Sequence, residues 1–213
     1  MQTDRIRVTS GGGGARQAMD ETVKFSQYVG LDAKAALWLR LLTEETLGMV
    51  EAITEDFAAD YWIESVEGNT WVIHLTATTI MNIVKKQELI DASTNKKNAA
   101  AKGFMGKIRQ VIENSLYSID EVGSLKSEYD GTPLMFGEMG MCATESSSSL
   151  STASYYWSLE RYRHTVEEEE DTNEAAKAAW DELEKSIVAN IADEVMVGVK
   201  GDTVELTITK KYR

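Results

Sequence analysis

The chain has 213 residues, 43% of them hydrophobic, enough to bury a real core as one domain or at most two small ones. Its 35 acidic and 22 basic residues leave a net charge of -13, which argues against nucleic acid or an anionic membrane surface as the main partner. A single cysteine, Cys142, excludes an internal disulfide and a cysteine-based metal cluster. His74 and His164 lack the close companions of a zinc site, so no metal centre is expected. The apolar runs are too short to span a bilayer and no charged-then-apolar leader opens the chain, which points to a reduced, cytoplasmic protein.

Taken in order, Arg5 to Thr9 alternates and predicts a short first strand. Gly11 to Gly14 form a flexible connection, because they lack the Lys-Ser/Thr of a P-loop and the spacing of a dinucleotide fingerprint. A helix follows from about Ala15 to Tyr28, with Gly30 as a left-handed stop. Asp32 caps a second helix that runs to about Asp56. Tyr61 to Val66 and Trp71 to Thr78 make a hairpin about the turn Glu67 to Thr70. On its second strand Trp71, Ile73, Leu75 and Ala77 share one face, and His74 lies on the other as a solvated residue.

A short helix from Met81 to Ile90 and a longer one from about Asn98 to Tyr117 are expected next. Lys96, Lys97, Lys102, Lys107 and Arg109 make this the locally basic stretch of an acidic chain, and Gly103 and Gly106 set small residues beside those cations. That combination suits an approaching phosphate, or equally close helix packing under a solvated basic face. Ile119 to Met141 is rich in turn residues, and Glu145 to Ser154 is a serine-rich loop. Tyr155 to Arg163 is read as a strand paired with Leu134 to Met141, and Thr165 to Asp171 as a solvated acidic loop. A helix from about Asn173 to Ala192 then leads into a closing hairpin, Val195 to Val199 and Val204 to Thr209.

The second helix carries the most informative residue. Leu37, Trp38, Leu41, Leu42, Met49, Ala52 and Ile53 fall on one apolar arc at 3.6 residues per turn, and Glu45 lies near its middle. A carboxylate there must be paired, protonated or facing a cavity, because burying a bare charge is costly.

Two stretches resemble the GHKL ATPase superfamily, and within it the small anti-sigma-factor serine kinases. Leu41-Leu42-Thr43-Glu44-Glu45-Thr46-Leu47-Gly48-Met49 is similar to that family's N-box. Ile187 to Val197, followed by Thr203-Val204-Glu205-Leu206, is similar to its closing helix and hairpin. The resemblance implies an α+β, two-layer α/β sandwich of the histidine kinase-like ATPase fold. Its mixed, mostly antiparallel sheet would be covered on one face by helices, with residues 1–213 as one domain carrying a variable middle insertion at about 82–163. It also implies ATP and magnesium as cofactors if the family activity is retained, with Glu45 (Glu44 in the other register) as the catalytic base and Lys102, Gly103, Gly106 and Lys107 as phosphate binders.

This sequence departs from the family pattern at the metal ligand, at the adenine reader and at the second glycine box, since the helix from Asn173 has no glycine. The asparagine that binds magnesium one turn after the glutamate is replaced by Met49, or by Gly48 in the other register. Neither supplies the oxygen that a hard ion wants. Where an Asp-x-Gly-x-Gly should read adenine, the chain has Leu75-Thr76-Ala77-Thr78-Thr79. The expectation is therefore a degenerate domain that regulates or binds a protein partner without efficient ATP hydrolysis. An active ATP-binding serine kinase is the alternative.

Overall fold

Alternation along the strands determines which way the sheet faces. Ile6 and Val8 of strand β1 (Ile6–Thr9), Ala59, Tyr61 and Ile63 of β2 (Ala58–Val66), and Trp71, Ile73, Leu75 and Ala77 of β3 (Thr70–Thr78) are all buried in one core. In a computed structural model the described residues are 1–53, 56–67, 69–78, 104–109, 112, 142–144, 154–169, 174–200 and 203–212. Helices α1 (Ala15–Val29) and α2 (Ala33–Glu51) follow β1, and a helical stretch α3 covers residues 104–109. Then come β4 (Cys142–Thr144), β5 (Ser154–Ser158), α4 (Leu159–Glu169), α5 (Glu174–Lys185), α6 (Ile187–Ile191), β6 (Glu194–Lys200) and β7 (Thr203–Lys211). The helix expected at Met81–Ile90 and the strand expected at Leu134–Met141 lie outside the described residues.

The seven strands form one sheet in the order β1-β2-β3-β7-β6-β5-β4, and every pairing is antiparallel. The architecture is thus α+β in two layers, with an antiparallel rather than mixed sheet among the described residues. Each helix contributes to the same core: Phe25 from α1, Leu39 and Leu42 from α2, Ile108 from α3, Leu159 from α4, Leu183 from α5 and Val188 from α6. The other sheet face is more polar, with Asp60, Thr76 and Glu205 in register across three strands. No helix among the described residues is long and apolar enough to cross a membrane.

The helix ends follow local chemistry. Gly30, at φ 72°, closes α1 in a Schellman arrangement in which its N–H donates to the Gln27 carbonyl (3.2 Å) and that of Leu31 to the Ser26 carbonyl (2.9 Å). Asp32 Oδ1 accepts the Ala35 N–H at 2.7 Å and opens α2. Two expectations are corrected. Tyr155 to Arg163 is not one strand: β5 stops at Ser158, pairs with Cys142–Thr144, and gives way to α4, which occupies most of the expected acidic loop. Leu159, Tyr162 and Val166 recur at helical spacing and are buried, and the Glu194 carboxylate accepts the Leu159 N–H at 2.9 Å. The helix expected over Asn173–Ala192 is two helices, because Ser186 leaves helical geometry and its hydroxyl caps α6 through the Ala189 N–H (3.1 Å).

A knot of hydroxyls fastens α1 and α2 to the sheet. Tyr61 Oη lies 2.8 Å from Thr43 Oγ1 and 3.2 Å from Thr22 Oγ1, all three residues buried. Thr22 donates to the Ala18 carbonyl and Thr43 to the Leu39 carbonyl, so the Tyr61 proton serves Thr43. Burial pushes the Tyr61 phenol up to about 12, against the smaller lowering by the two threonine hydroxyls. A folded value above the ordinary one favours the neutral phenol. Its stabilisation is complete below about pH 10 and is lost as pH rises through about 12. Tyr61→Phe is expected to lower stability by about 1–2 kcal/mol in urea denaturation at neutral pH and to flatten the alkaline loss, since the buried Thr43 hydroxyl loses its donor.

Candidate functional site

The buried face of α2 is Ala35, Leu39, Leu42, Thr43, Thr46, Leu47, Met49 and Val50. This corrects the arc read from the sequence: Leu37 is 53% exposed and Ala52 is exposed, so the face that meets the sheet is rotated away from Leu37 and toward the two threonines. Thr43 and Thr46 are tolerated inside because each hydroxyl donates to the carbonyl one turn back, Leu39 at 2.9 Å and Leu42 at 2.7 Å. Glu45 is consequently on the flank of the buried face. It is half-buried and makes no hydrogen bond or ion pair among the described residues. Glu44 is exposed and its carboxylate meets Arg40 at 3.2 Å in an ordinary helix-surface pair.

One turn beyond Glu45, Met49 is 4% exposed and packs in the core, while Gly48 is exposed with open space where a Cβ would stand. Neither places an oxygen beside Glu45. No group of three or more His, Cys, Asp or Glu able to hold a metal occurs among the described residues.

Lys102 and Gly103 lie outside the described residues, and Gly106 is half-buried within α3. The Lys107 ammonium is already engaged: it stands 2.7 Å from the Glu182 carboxylate of α5 and donates to the Tyr162 hydroxyl of α4 at 3.3 Å. Burial lowers its pKa, but Glu182 and Tyr162 more than offset this and hold it above the ordinary lysine value. Arg109, also in the basic stretch, is 4% exposed and donates to the Ala52 carbonyl at 2.8 Å, covering the C-terminal end of α2. Contacts between helices therefore account for Lys107 and Arg109, the two cations of this stretch among the described residues. A long-range ion pair of this kind has no signal in sequence spacing.

The glycine run between β1 and α1 is a structural turn. Gly14 has φ 78°, and a Cβ there would meet the Arg7 carbonyl oxygen at 1.9 Å. Thr9 Oγ1 accepts the Gly13 N–H, and the Glu51 carboxylate lies beside Gly12, which sets a negative charge where a phosphate would have to come. A separate open groove of about 550 Å³ runs between α4 and the start of β6, lined by Glu160, Arg163, His164, Glu167, Asp193 and Lys211, among others. Much of its charge is committed: Asp193 accepts from Lys210 Nζ at 3.0 Å, Arg163 donates to the Ala189 carbonyl, and His164 faces Glu168 at 3.6 Å.

No family model, curated protein or solved structure matches the chain.

Two substitutions test this geometry. Glu45→Gln is expected to leave stability unchanged or raise it by up to about 1 kcal/mol, since no partner is lost; a clear loss in urea denaturation would mean that the carboxylate is held. Gly14→Ala is expected to cost roughly 1–3 kcal/mol, whereas Gly11→Ala, with its nearest neighbour 4.0 Å away, is expected to be close to neutral.

Proposed function

We propose that the chain is a degenerate GHKL-type domain that works as a regulatory or partner-binding protein and does not hydrolyse ATP efficiently. The observation that carries this reading is Met49. It occupies the position where the resemblance calls for a magnesium-binding asparagine, and its thioether is packed in the core. Magnesium wants hard oxygen ligands, and phosphoryl transfer depends on the ion to neutralise and position the phosphates. Glu45 alone supplies a carboxylate without that partner, and Lys107 is paired with Glu182 rather than open to a phosphate. The two-layer α+β architecture, with a long helix carrying Glu45 laid against the sheet, is compatible with a histidine kinase-like scaffold.

A second reading rests on the same residue from the other side. A half-buried carboxylate without a partner is what a general base looks like before substrate arrives, which keeps an active serine kinase of the anti-sigma-factor type in contention. Isothermal titration of the full chain with ATP and magnesium separates the two. Regulatory function predicts no saturable heat at millimolar nucleotide. Saturable, magnesium-dependent binding, with turnover abolished by Glu45→Ala in a protein that stays folded, overturns it in favour of the kinase.

A further inference from the structure

The sheet face away from the helices carries a row of three side chains contributed by three strands or their flanks. His74 of β3 is directly opposite Trp62 of β2. Ile6 of β1 is opposite Tyr61, so Arg5, one residue before it, comes alongside Trp62 from the other side. The contacts follow that register. The imidazole stacks on the indole with centroids 4.7 Å apart and planes 8° from parallel, and the Arg5 guanidinium lies 4.2 Å from the Trp62 ring centre. Trp62 is 9% exposed despite lying on the open face, so these two neighbours cover a ring that would otherwise meet water.

The charged groups facing His74 come from each adjoining element. Glu64 of β2 reaches Nε2 at 3.4 Å, close enough to pair with an imidazolium. Glu205 of β7 also favours the charged ring, and Arg5 opposes it. Burial is the largest influence and lowers the His74 pKa, with Glu64 pulling the other way. With the folded value below the ordinary one near 6.5, the neutral ring contributes stability fully above that pH. The contribution is lost as pH falls through the folded value.

Arg5 belongs to a short segment laid along the half of β2 that β1 does not reach. Gln2 forms a bridge with Glu64, the Thr3 N–H donates to the Ile63 carbonyl at 2.9 Å, and the Ile63 N–H donates to Thr3 Oγ1 at 3.0 Å. We propose that His74 is a proton-operated latch for this segment: when the ring is charged it keeps its place on Trp62 and pairs with Glu64, its charge repels the Arg5 guanidinium held against the same indole, Arg5 leaves for solvent, and residues 2–5 loosen from β2. Arg5 is the member that yields because it is exposed on a flexible stem, whereas His74 is fixed by two neighbouring strands and gains Glu64.

Hydrogen exchange by NMR on the full chain, followed from about pH 7.5 to 5, tests the latch across the range where imidazole titrates. After correction for the intrinsic pH dependence, exchange at the Thr3 and Ile63 amides is expected to rise several-fold in step with the His74 ring signals. The step should vanish in His74→Gln. In Glu64→Gln both the ring titration and the step should move to lower pH together. A rise that persists in His74→Gln, a ring that titrates without any change at Thr3 and Ile63, or a Glu64→Gln step that does not follow the ring would each overturn the proposal.

Discussion

The requirement that buried hydroxyls find partners governs how the two layers meet. Tyr61 reaches from the sheet into the seam between α1 and α2, and it can be there only because Thr22 and Thr43 come together at that point. Each threonine in turn ties its hydroxyl to its own helix, so the three residues fix the rotation of both helices against β2. The consequence for α2 is direct. Turning Thr43 and Thr46 inward places Met49 in the core and leaves Glu45 on the flank. A helix oriented by apolar contact alone would have had more freedom to bring Glu45 to the centre of its inner face.

The sheet was largely legible in the sequence because strand alternation is a strong, local signal. The hairpin of β2 and β3, the closing hairpin of β6 and β7, and the inward set Trp71, Ile73, Leu75 and Ala77 all follow from period-two patterning. Gly30 and Asp32 were legible for the same reason, since capping chemistry depends on neighbours a few residues away. The face of α2 was not legible: threonines count as polar in a hydropathy pattern, yet here the helix's own carbonyls satisfy them inside the core. Helix α4 was misread because Tyr155, Tyr156 and Trp157 carry strand propensity across the boundary, while the residue that starts the helix, Glu194, is far away in the chain.

The candidate site divides along the same line. The residue types at Glu45, Gly106 and Lys107 could be named from the sequence, but their availability could not. Lys107 is drawn to Glu182 and Tyr162 by elements that come together only in the folded state, and Arg109 is spent on the end of α2. Lys107 and Arg109 thus serve here to join helices. The groove beside α4 shows the complementary case, a concave surface where Asp193 is paired with Lys210 and Arg163 donates to the Ala189 carbonyl.

The carboxylate that opens α4 also bears on how the molecule is assembled during synthesis. Glu194 accepts backbone N–H groups at Leu159 and Glu160, 35 and 34 residues before it, as well as that of Val195. The start of α4 therefore leaves the ribosome without the group that defines it, and short isolated helices are marginal in water. Strand β5 is in the same position, because its neighbour β6 begins at that glutamate. A nascent chain halted before Glu194 therefore has only β4 to pair with β5, and the edge of β5 that β6 covers in the folded protein stays open until β6 is made.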